Sequence, residues 1–403
     1  MAAEFLPGNR ITLLDSGAEY FPALLAEIEA ACSEIYLESY IFADDPVGRA
    51  VSGALRAAAG RGVRVHVTVD GFGARNFADD FVPQLVAGGV HVNVYRPETG
   101  LFRLRRHRLR RLHRKLVVID GRVAFVGGIN IIDDDNAQED MRPRYDYAAR
   151  CEGPVLRQAQ RAAWRMWEIV AWANLRQRFR SAPPSADATA PAEGQLAALL
   201  VRDNIIHRHD ILNAYLNAIK AARHEILIAN AYFLPGVRFG RALHAAARRG
   251  VRVTILLQGK TDHRLLRYAT QTLYARSLAS GMRIFEYEKS FMHAKVAVVD
   301  SEWATVGSSN IDPFSLLIAK EANLVVRDAT FAQQLRHNIH EHMVVGAREM
   351  LPDELAQQPL PSKLLRWLAY AIVRLLVGIT GYGPKHWQAD EEEPGLTADA
   401  AKE

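Results

Sequence analysis

Apolar and polar residues alternate along this chain in an order of strands and helices that occurs twice. Apolar runs at 34–42 and 63–69 predict strands, and a helical pattern over 46–59 lies between them. The same order returns about 180–190 residues later, at 225–233 and 245–253. Strands that alternate with helices predict an α/β fold with a largely mixed sheet. A single recurrence at this distance indicates a duplicated unit and not a solenoid.

The closest match between the two copies is a block at 113–130 that returns at 293–310. Each block reads His, one residue, Lys, four residues, Asp, six residues, Gly, Gly or Ser, one residue, Asn. The apolar runs on either side of the Asp predict a β-hairpin with the Asp at its turn. Side chains alternate along a strand, so the His and Lys of each block share a face. The Asp lies an odd number of residues from the His, which leaves a structural role in the turn as open as a catalytic one.

A histidine and a lysine on one face suit phosphodiester chemistry. The lysine places a positive charge on phosphate oxygens, and the imidazole can act as a nucleophile or as a general acid and base near neutral pH. One such pair alone is typical of an ordinary solvated strand, and it supplies only half of a mechanism. Two pairs supply both a nucleophile and a proton donor for the leaving oxygen, which predicts one cleft shared by the two copies.

The two blocks resemble the paired HKD motifs of the phospholipase D superfamily, and the resemblance covers about residues 10–350. Within that superfamily the chain is most similar to the short bacterial (B-type) cardiolipin synthases, through the sequences at 111–121, 146–148, 310–315 and 321–324. The resemblance implies a duplicated phospholipase D fold. In that fold two α/β/α sandwich halves with mixed sheets are related by a pseudo-two-fold axis, and the active site lies at their interface.

The resemblance also implies the residues of the site. The catalytic residues would be His113, Lys115, Asp120, His293, Lys295 and Asp300. The phosphate-binding and supporting residues would be Asn130, Asn310, Ser308, Asp146 and Glu321. In the family an acidic side chain after each motif orients the motif histidine. Asp146 follows His113 by 33 residues and Glu321 follows His293 by 28, so each carboxylate is expected behind the histidine of its own half.

The predicted organisation has a half at 1–180, a linker at 181–194, a second half at 195–350, an amphipathic membrane-associating segment at 360–387 and an acidic disordered tail at 388–403.

In the membrane-associating segment one polar stripe recurs at helical spacing, formed by Lys363, Arg366, Tyr370 and Arg374. Arg374 lies near the middle of the apolar stretch, which argues against a helix that spans a bilayer. We expect a helix in the headgroup plane, with its basic side chains reaching lipid phosphates. A core helix or an oligomer contact is the alternative.

The composition leaves the class of anionic partner open. The 403 residues carry a net charge of +5, and a hydrophobic content of 49% is enough for a large core. The arginine-rich run at 103–111 suits lipid headgroups and nucleic acid equally. Cys32 and Cys151 show neither a disulfide framework nor metal spacing. The first residues lack a basic region followed by a long apolar run, so we expect no signal peptide and no N-terminal span. The acidic run at 133–136 lacks the spacing of a calcium loop, so we expect neither a metal nor a cofactor.

Three functions compete for this site. The resemblance favours a cardiolipin synthase, in which His113 would attack phosphatidylglycerol, His293 would protonate the departing glycerol, and a second phosphatidylglycerol would accept the phosphatidyl group. Phosphatidylethanolamine could replace one of the two lipids. A phospholipase D that hydrolyses headgroups and a nuclease are the alternatives, but a nuclease leaves the apolar C-terminal segment unexplained. We expect phospholipids and an anionic membrane surface as partners, no nucleic acid, and a peripheral position on the cytoplasmic side of a bacterial inner membrane. The oligomeric state stays open.

Overall fold

The computed structural model describes residues 4–97, 110–173, 194–203, 206–260, 264–312, 315–316, 318–356 and 359–377. The predicted acidic tail, most of the arginine-rich run and all but the last residue of the predicted linker lie outside these ranges.

The described residues of the first half form seven strands, β1 Leu6–Asp15, β2 Glu34–Ser39, β3 Arg64–Asp70, β4 His91–Tyr95, β5 Leu116–Ile119, β6 Val123–Gly127 and β7 Tyr147–Glu152. Its α-helices are α1 Ser16–Glu29, α2 Pro46–Gly60, α3 Phe77–Asp80, α4 Val82–Ala87 and α5 Leu156–Ala173. A short 3-10 helix, Glu139–Met141, precedes β7.

Eight strands are described in the second half, β8 Gln195–Arg202, β9 Glu225–Asn230, β10 Arg252–Gln258, β11 Arg283–Tyr287, β12 Lys295–Val299, β13 Trp303–Gly307, β14 Glu321–Arg327 and β15 Ala347–Glu349. Its described α-helices are α6 Asp210–Ala221, α7 Val237–Arg248, α8 Arg264–Gln271, α9 Tyr274–Ala279, α10 Ala329–Gly346, α11 Pro352–Ala356 and α12 Leu360–Val377.

The strands form one sheet in which the two halves repeat the same order. Outward from its centre, the first half runs β1-β7-β6-β5-β2-β3-β4, and the second runs β8-β14-β13-β12-β9-β10-β11 before it ends at β15. In both halves three parallel strands are followed by an antiparallel hairpin. Antiparallel pairing of β1 with β8 joins the halves, so the pseudo-two-fold axis passes between these strands. The expected duplicated α/β fold with mixed sheets is confirmed, and the two sheets are also continuous.

The central core is built by both halves. Leu116 and Val118 of β5 contribute to a central cluster with α5 and α10, whereas Val117 and Ile119 pack into an outer cluster with α1 and α2. Strands that are buried on both faces read as continuous apolar runs, which is why the hairpin strands lack a polar face. The helices α6 and α7 cover the outer face of the second half in the same way.

Asp120 and Asp300 hold the hairpin turns and lie outside the cleft, which corrects their assignment as catalytic residues. Asp120 accepts hydrogen bonds of 2.8, 2.8 and 2.9 Å from the backbone N–H groups of residues 32–34. Asp300 accepts bonds of 2.8, 2.8 and 2.9 Å from those of residues 223–225. Both have a φ of 53°, a left-handed conformation that Asp tolerates well. Each carboxylate therefore fixes the turn to the start of β2 or β9, at the opposite end of the hairpin strand from the motif histidine.

Helix α12 packs on α8 with its apolar face outward. Ala369 and Val373 are buried, and Val373 joins a small cluster with Leu234 and Ala269. The exposed large apolar residues are Leu364, Leu365, Trp367, Leu368, Ile372 and Leu375. None of the helices in the described ranges combines the length and apolar character needed to cross a bilayer.

The basic side chains of the polar stripe of α12 were predicted to reach lipid phosphates, and this was wrong for Arg366, which faces the protein together with Tyr370. Tyr370 packs against the cluster of Leu234 and Val373, and the charge of Arg366 acts on Tyr274 within the protein. The side chains of Lys363 and Arg374 lie outside the described side chains. The helix is therefore amphipathic in the reverse sense, with the described polar residues turned toward the protein.

Candidate active site

The two motif histidines meet because each is bound by the backbone of the opposite half. The N–H of His113 donates to the carbonyl of Lys320 at 2.9 Å, just before β14. The N–H of His293 donates to the carbonyl of Tyr145 at 2.7 Å, just before β7. The two motifs therefore lie in one cleft at the interface between the halves, as the duplication predicted.

The carboxylates behind the histidines are exchanged between the halves. Nδ1 of His113 lies 3.0 and 3.1 Å from the two carboxylate oxygens of Glu321, and Nδ1 of His293 lies 2.7 Å from Oδ2 of Asp146. The expectation that each carboxylate serves the histidine of its own half was wrong. A carboxylate at Nδ1 fixes the tautomer and leaves Nε2 as the nitrogen that can react.

Each carboxylate has a further support from its own half. The hydroxyl of Ser308 donates to Glu321 at 2.5 Å, and the N–H of Tyr147 donates to Asp146 at 2.8 Å. Gly128 occupies the motif position of Ser308, and a Cβ there would lie 2.2 Å from the Asp146 carboxylate. The motif position therefore carries Ser where the neighbouring carboxylate is Glu321, and Gly where it is Asp146. The hydroxyl of Ser308 binds Glu321 and does not point freely into the cleft.

Both motif lysines are buried beside the histidines. Lys115 is 3% exposed and donates to the carbonyl of His113 at 2.8 Å. Lys295 is 0% exposed, donates to the carbonyl of His293, and lies 3.4 Å from Asp146 and 2.8 Å from Nδ1 of His293. Two ammonium groups without access to bulk water create a strong positive field in the cleft.

Burial and this field lower the pKa of the lysines and of the imidazoles. Burial lowers the pKa of Lys115 to about 7, against the raising effect of the Glu321 carboxylate. Burial and the charge of Lys295 lower the pKa of His293 to about 3, although Asp146 opposes them. Burial also lowers the pKa of His113, and the charge of Lys115 adds to the effect. Both rings are therefore neutral in the resting site, as a nucleophile requires.

The electrostatic coupling crosses between the halves. The charge of Lys295 helps to lower the pKa of His113, and the charge of Lys115 helps to lower that of His293. Burial alone would raise the pKa of Asp146, but the charge of Lys295 and the hydrogen bond from His293 lower it. Asp146 is therefore ionised, and the histidines, lysines and carboxylates behave as one cluster.

The motif asparagines lie just after the second strand of each hairpin. The side-chain carbonyl of Asn130 accepts the N–H of Ile41 at 3.1 Å, which holds the chain after β2. Asn310 is buried, and its side-chain oxygen has no hydrogen-bond partner within the described residues. In the second half the side-chain oxygen of Asn230 accepts the N–H of Ile311 at 3.0 Å, as the hydroxyl of Ser39 accepts that of Ile131 at 3.4 Å in the first half. The side-chain oxygen of Asn310 therefore differs from that of Asn130, which is bound to the backbone.

Aromatic residues around the histidines were missed by the sequence analysis. The ring of Tyr40 meets His113 edge-on at 4.9 Å, and Lys115 lies 5.4 Å from the same ring. The ring of Phe291 stacks on His293 at 5.9 Å, and Arg144 lies over that ring at 5.1 Å. These residues differ between the halves, so comparison of the two copies carried no signal for them.

The chain matches the family described as "Cardiolipin synthase, PLD-like domain" over residues 24–167 and 215–343. It is 38% identical over 386 residues to cardiolipin synthase B of Escherichia coli (strain K12), which covers 96% of this chain and 93% of that protein. It is 31% identical over 374 residues to cardiolipin synthase A of Pseudomonas putida, which covers 92% of this chain and 75% of that protein.

Among solved structures the chain resembles phosphatidylserine synthase of Haemophilus influenzae Rd KW20, with a TM-score of 0.69 and 15% identity over 94% of this chain and 97% of that one. This similarity concerns the fold, whereas the sequence matches carry the family. The chain therefore belongs to the cardiolipin synthases, which are phosphatidyltransferases of the phospholipase D superfamily.

Proposed function

We propose that this enzyme transfers the phosphatidyl group of one phosphatidylglycerol to a hydroxyl group of another, yielding cardiolipin and glycerol. The observation that carries the proposal is the paired arrangement of two neutral imidazoles, each held at Nδ1 by a buried carboxylate and flanked by a buried ammonium group. One phosphodiester is exchanged for another, so the reaction needs no nucleotide.

In the first step Nε2 of His113 attacks the phosphorus, and the bond to the glycerol oxygen breaks. His113 suits this role because its Nδ1–H is held by both oxygens of Glu321. His293 gives a proton to the departing glycerol. The negative phosphate offsets the charge of Lys295 and so raises the pKa of His293 when substrate binds.

In the second step His293 takes the proton from the hydroxyl of the incoming lipid, whose oxygen attacks the phosphorus and releases His113. Lys115 and Lys295 stabilise the charge on the non-bridging oxygens in both transition states, with Asn130 and Asn310 as further donors. Phosphatidylethanolamine as the donor would require the same proton transfers, with ethanolamine leaving in place of glycerol and a phosphatidylglycerol hydroxyl as the acceptor.

The reaction is tested with phosphatidylglycerol in mixed micelles and mass spectrometry of the products. Cardiolipin with an equal amount of glycerol supports transfer, whereas phosphatidic acid alone would show hydrolysis. His113→Ala and His293→Ala should each abolish turnover. His337→Ala is the matched control, because this side chain is 76% exposed on α10, and it should keep the normal rate.

The assignment of the nucleophile has its own test. A phosphatidyl ester of p-nitrophenol has a leaving group that needs no proton. His293→Ala should therefore still release one equivalent of p-nitrophenol and stop at the phosphatidyl-histidine. His113→Ala should release none, and the reverse outcome would exchange the two roles.

We further propose that the outer face of α12 attaches the enzyme to the membrane as a peripheral protein, on the cytoplasmic side of a bacterial inner membrane. Its six exposed apolar residues include Trp367, which is 63% exposed, and contiguous apolar surface of this kind favours a membrane or a protein partner. The lipid substrate favours the membrane. Leu234, which contacts α12, follows the end of β9, where Asn230 pairs with Lys295. Helix α12 therefore packs near the end of β9 that pairs with Lys295.

Attachment is tested by sedimentation with phosphatidylglycerol vesicles. Leu364→Glu combined with Trp367→Glu should abolish sedimentation and turnover on vesicles, with turnover on dihexanoyl phosphatidylglycerol below its micelle concentration unchanged. Val344→Glu is the control, because Val344 is 88% exposed on α10. Equal sedimentation of both variants would reject this face. Release by carbonate and protection from protease in spheroplasts would support the peripheral cytoplasmic position.

A further inference from the structure

A cavity of about 430 Å³ lies between the halves, behind the strands that carry the cleft. Arg114 and Lys320 line it, and each is next in sequence to a cleft residue, His113 or Glu321. Neighbouring side chains of an extended chain point to opposite sides, so the cavity and the cleft are separated by the same backbone. Consistent with this, Arg114 turns toward α5 and donates to the carbonyl of Ala162 at 3.3 Å.

The wall of the cavity is cationic where the two halves meet. Arg114 is neutralised by Glu38, to which it donates two bonds of 2.7 and 2.8 Å. Arg161 and Arg165 lie one turn apart on the same face of α5. In the part of the chain that the structure describes, no carboxylate lies within 4.0 Å of Arg161, Arg165 or Lys320.

The carboxylates that also line the cavity are Glu4, Asp203 and Asp210. Asp203 accepts the N–H groups of Ile206 and His207 at 2.9 and 3.0 Å, and Asp210 lies 2.7 Å from the ring of His207. The negative charges of these carboxylates do not balance the positive charges of the basic side chains at the inner end of the cavity. There, burial and the charge of Arg114 lower the pKa of Lys320 to about 8, although Asp203 opposes them.

We propose that this cavity binds the phosphate group of an anionic ligand, held by Arg161, Arg165 and Lys320. A guanidinium group can donate two parallel hydrogen bonds to the oxygens of one phosphate. The volume of the cavity is within the range of small-molecule sites. Met166 and Ile169 supply an apolar wall for the carbon atoms next to the phosphate. A phospholipid headgroup and a water-soluble phosphate ester share this chemistry.

An anion in this cavity bridges the halves, because the arginines belong to α5 and Lys320 belongs to the second half. The N–H of Lys320 donates to the carbonyl of Arg111 at 2.8 Å, and its carbonyl accepts the N–H of His113 at 2.9 Å. The ligand thus reinforces the segment that brings Glu321 to His113. The cavity is an effector site for the cleft, distinct from the place where the phosphodiester reacts.

Calorimetric titration of the full chain tests the proposal without turnover, because His113→Ala is present throughout. Inorganic phosphate and dihexanoyl phosphatidylglycerol are each titrated onto three proteins. The first carries His113→Ala alone, the second also carries both Arg161→Gln and Arg165→Gln, and the third carries Arg157→Gln in their place. Arg157 is exposed on α5 and does not line the cavity, so it is the matched control.

The double glutamine variant should lose one class of binding sites, or bind at least tenfold more weakly, with an unchanged melting temperature. The control should bind normally. Lipid that binds at least tenfold more tightly than phosphate identifies a headgroup as the source, and equal affinities identify a soluble phosphate. Identical isotherms for all three proteins would overturn the proposal and leave the catalytic function untouched.

Discussion

Replacement of Asp146 by Asn tests the exchange of carboxylates between the halves. Asp146 belongs to the first half but lies 2.7 Å from Nδ1 of His293; the carboxylate is buried and the imidazole is partly buried. The amide can turn its NH2 group toward Nδ1, which would place the proton on Nε2, the nitrogen that must act on the substrate. The variant should therefore impair the chemistry of the second motif.

The expected loss follows from one charge-assisted hydrogen bond. Such a bond contributes about 1.5–3 kcal/mol, which corresponds to a decrease in kcat of about 10- to 150-fold. The melting temperature should fall as well, because Lys295, which is 3.4 Å from Asp146, loses its buried counter-charge. Rates are therefore compared per folded molecule. Asp135→Asn is the control, since this side chain is exposed in the same loop.

The assay combines turnover of dihexanoyl phosphatidylglycerol with ¹⁵N spectra of the histidine rings. Asp146→Asn should change the ring signals of His293 more than those of His113, and Glu321→Gln should do the opposite. If Asp146→Asn changed His113 alone, each carboxylate would serve its own half and the observed pairing would be refuted. Unchanged kcat in both variants would refute the role of the carboxylates.

Asp120→Asn and Asp300→Asn should each lower the free energy of unfolding by only about 1 kcal/mol, because solvent already weakens the turn hydrogen bonds that are lost. Calorimetry should show this decrease, and turnover assays should show an unchanged kcat. Backbone N–H donors lower the pKa of Asp120, so its contribution to stability is present above about pH 4 and is lost as the pH falls through the folded pKa. The ammonium of Lys115, with a pKa of about 7, loses its charge as the pH rises through that value, so kcat/KM should fall; a flat profile between about pH 6 and about pH 9 would contradict this. Gly128→Ala should displace Asp146, which lies 2.2 Å from the new Cβ, and lower kcat by at least about tenfold; normal turnover would show that the carboxylate can move aside.

The duplicated spacing was sufficient to predict the fold and the shared cleft, because identical gaps around His113 and His293 require equivalent hairpins. It did not predict the partners of these histidines. Spacing along the chain measures the offset of Asp146 from His113, whereas the contact with His293 depends on how the halves face each other. Pairings between halves are therefore invisible in a comparison of the two copies.

The orientation of α12 could not be predicted from the sequence pattern for a similar reason. The stripe through Arg366 and Tyr370 has helical spacing, but spacing alone does not say which side of a helix meets the protein. Packing of Ala369 and Val373 decided it. Asp120 was ambiguous in the sequence and became clear only through its three backbone donors, which a motif does not record.

The exchanged carboxylates make each repeat incomplete without the other. A fragment that ends after α5 would keep His113 yet lack Glu321, and the complementary fragment would keep His293 yet lack Asp146. Neither could orient its own imidazole, so an ancestor with a single motif would have had to work as a homodimer. In the fused chain, a substitution of the carboxylate in one repeat impairs the histidine of the other repeat, so the two repeats are constrained to evolve together.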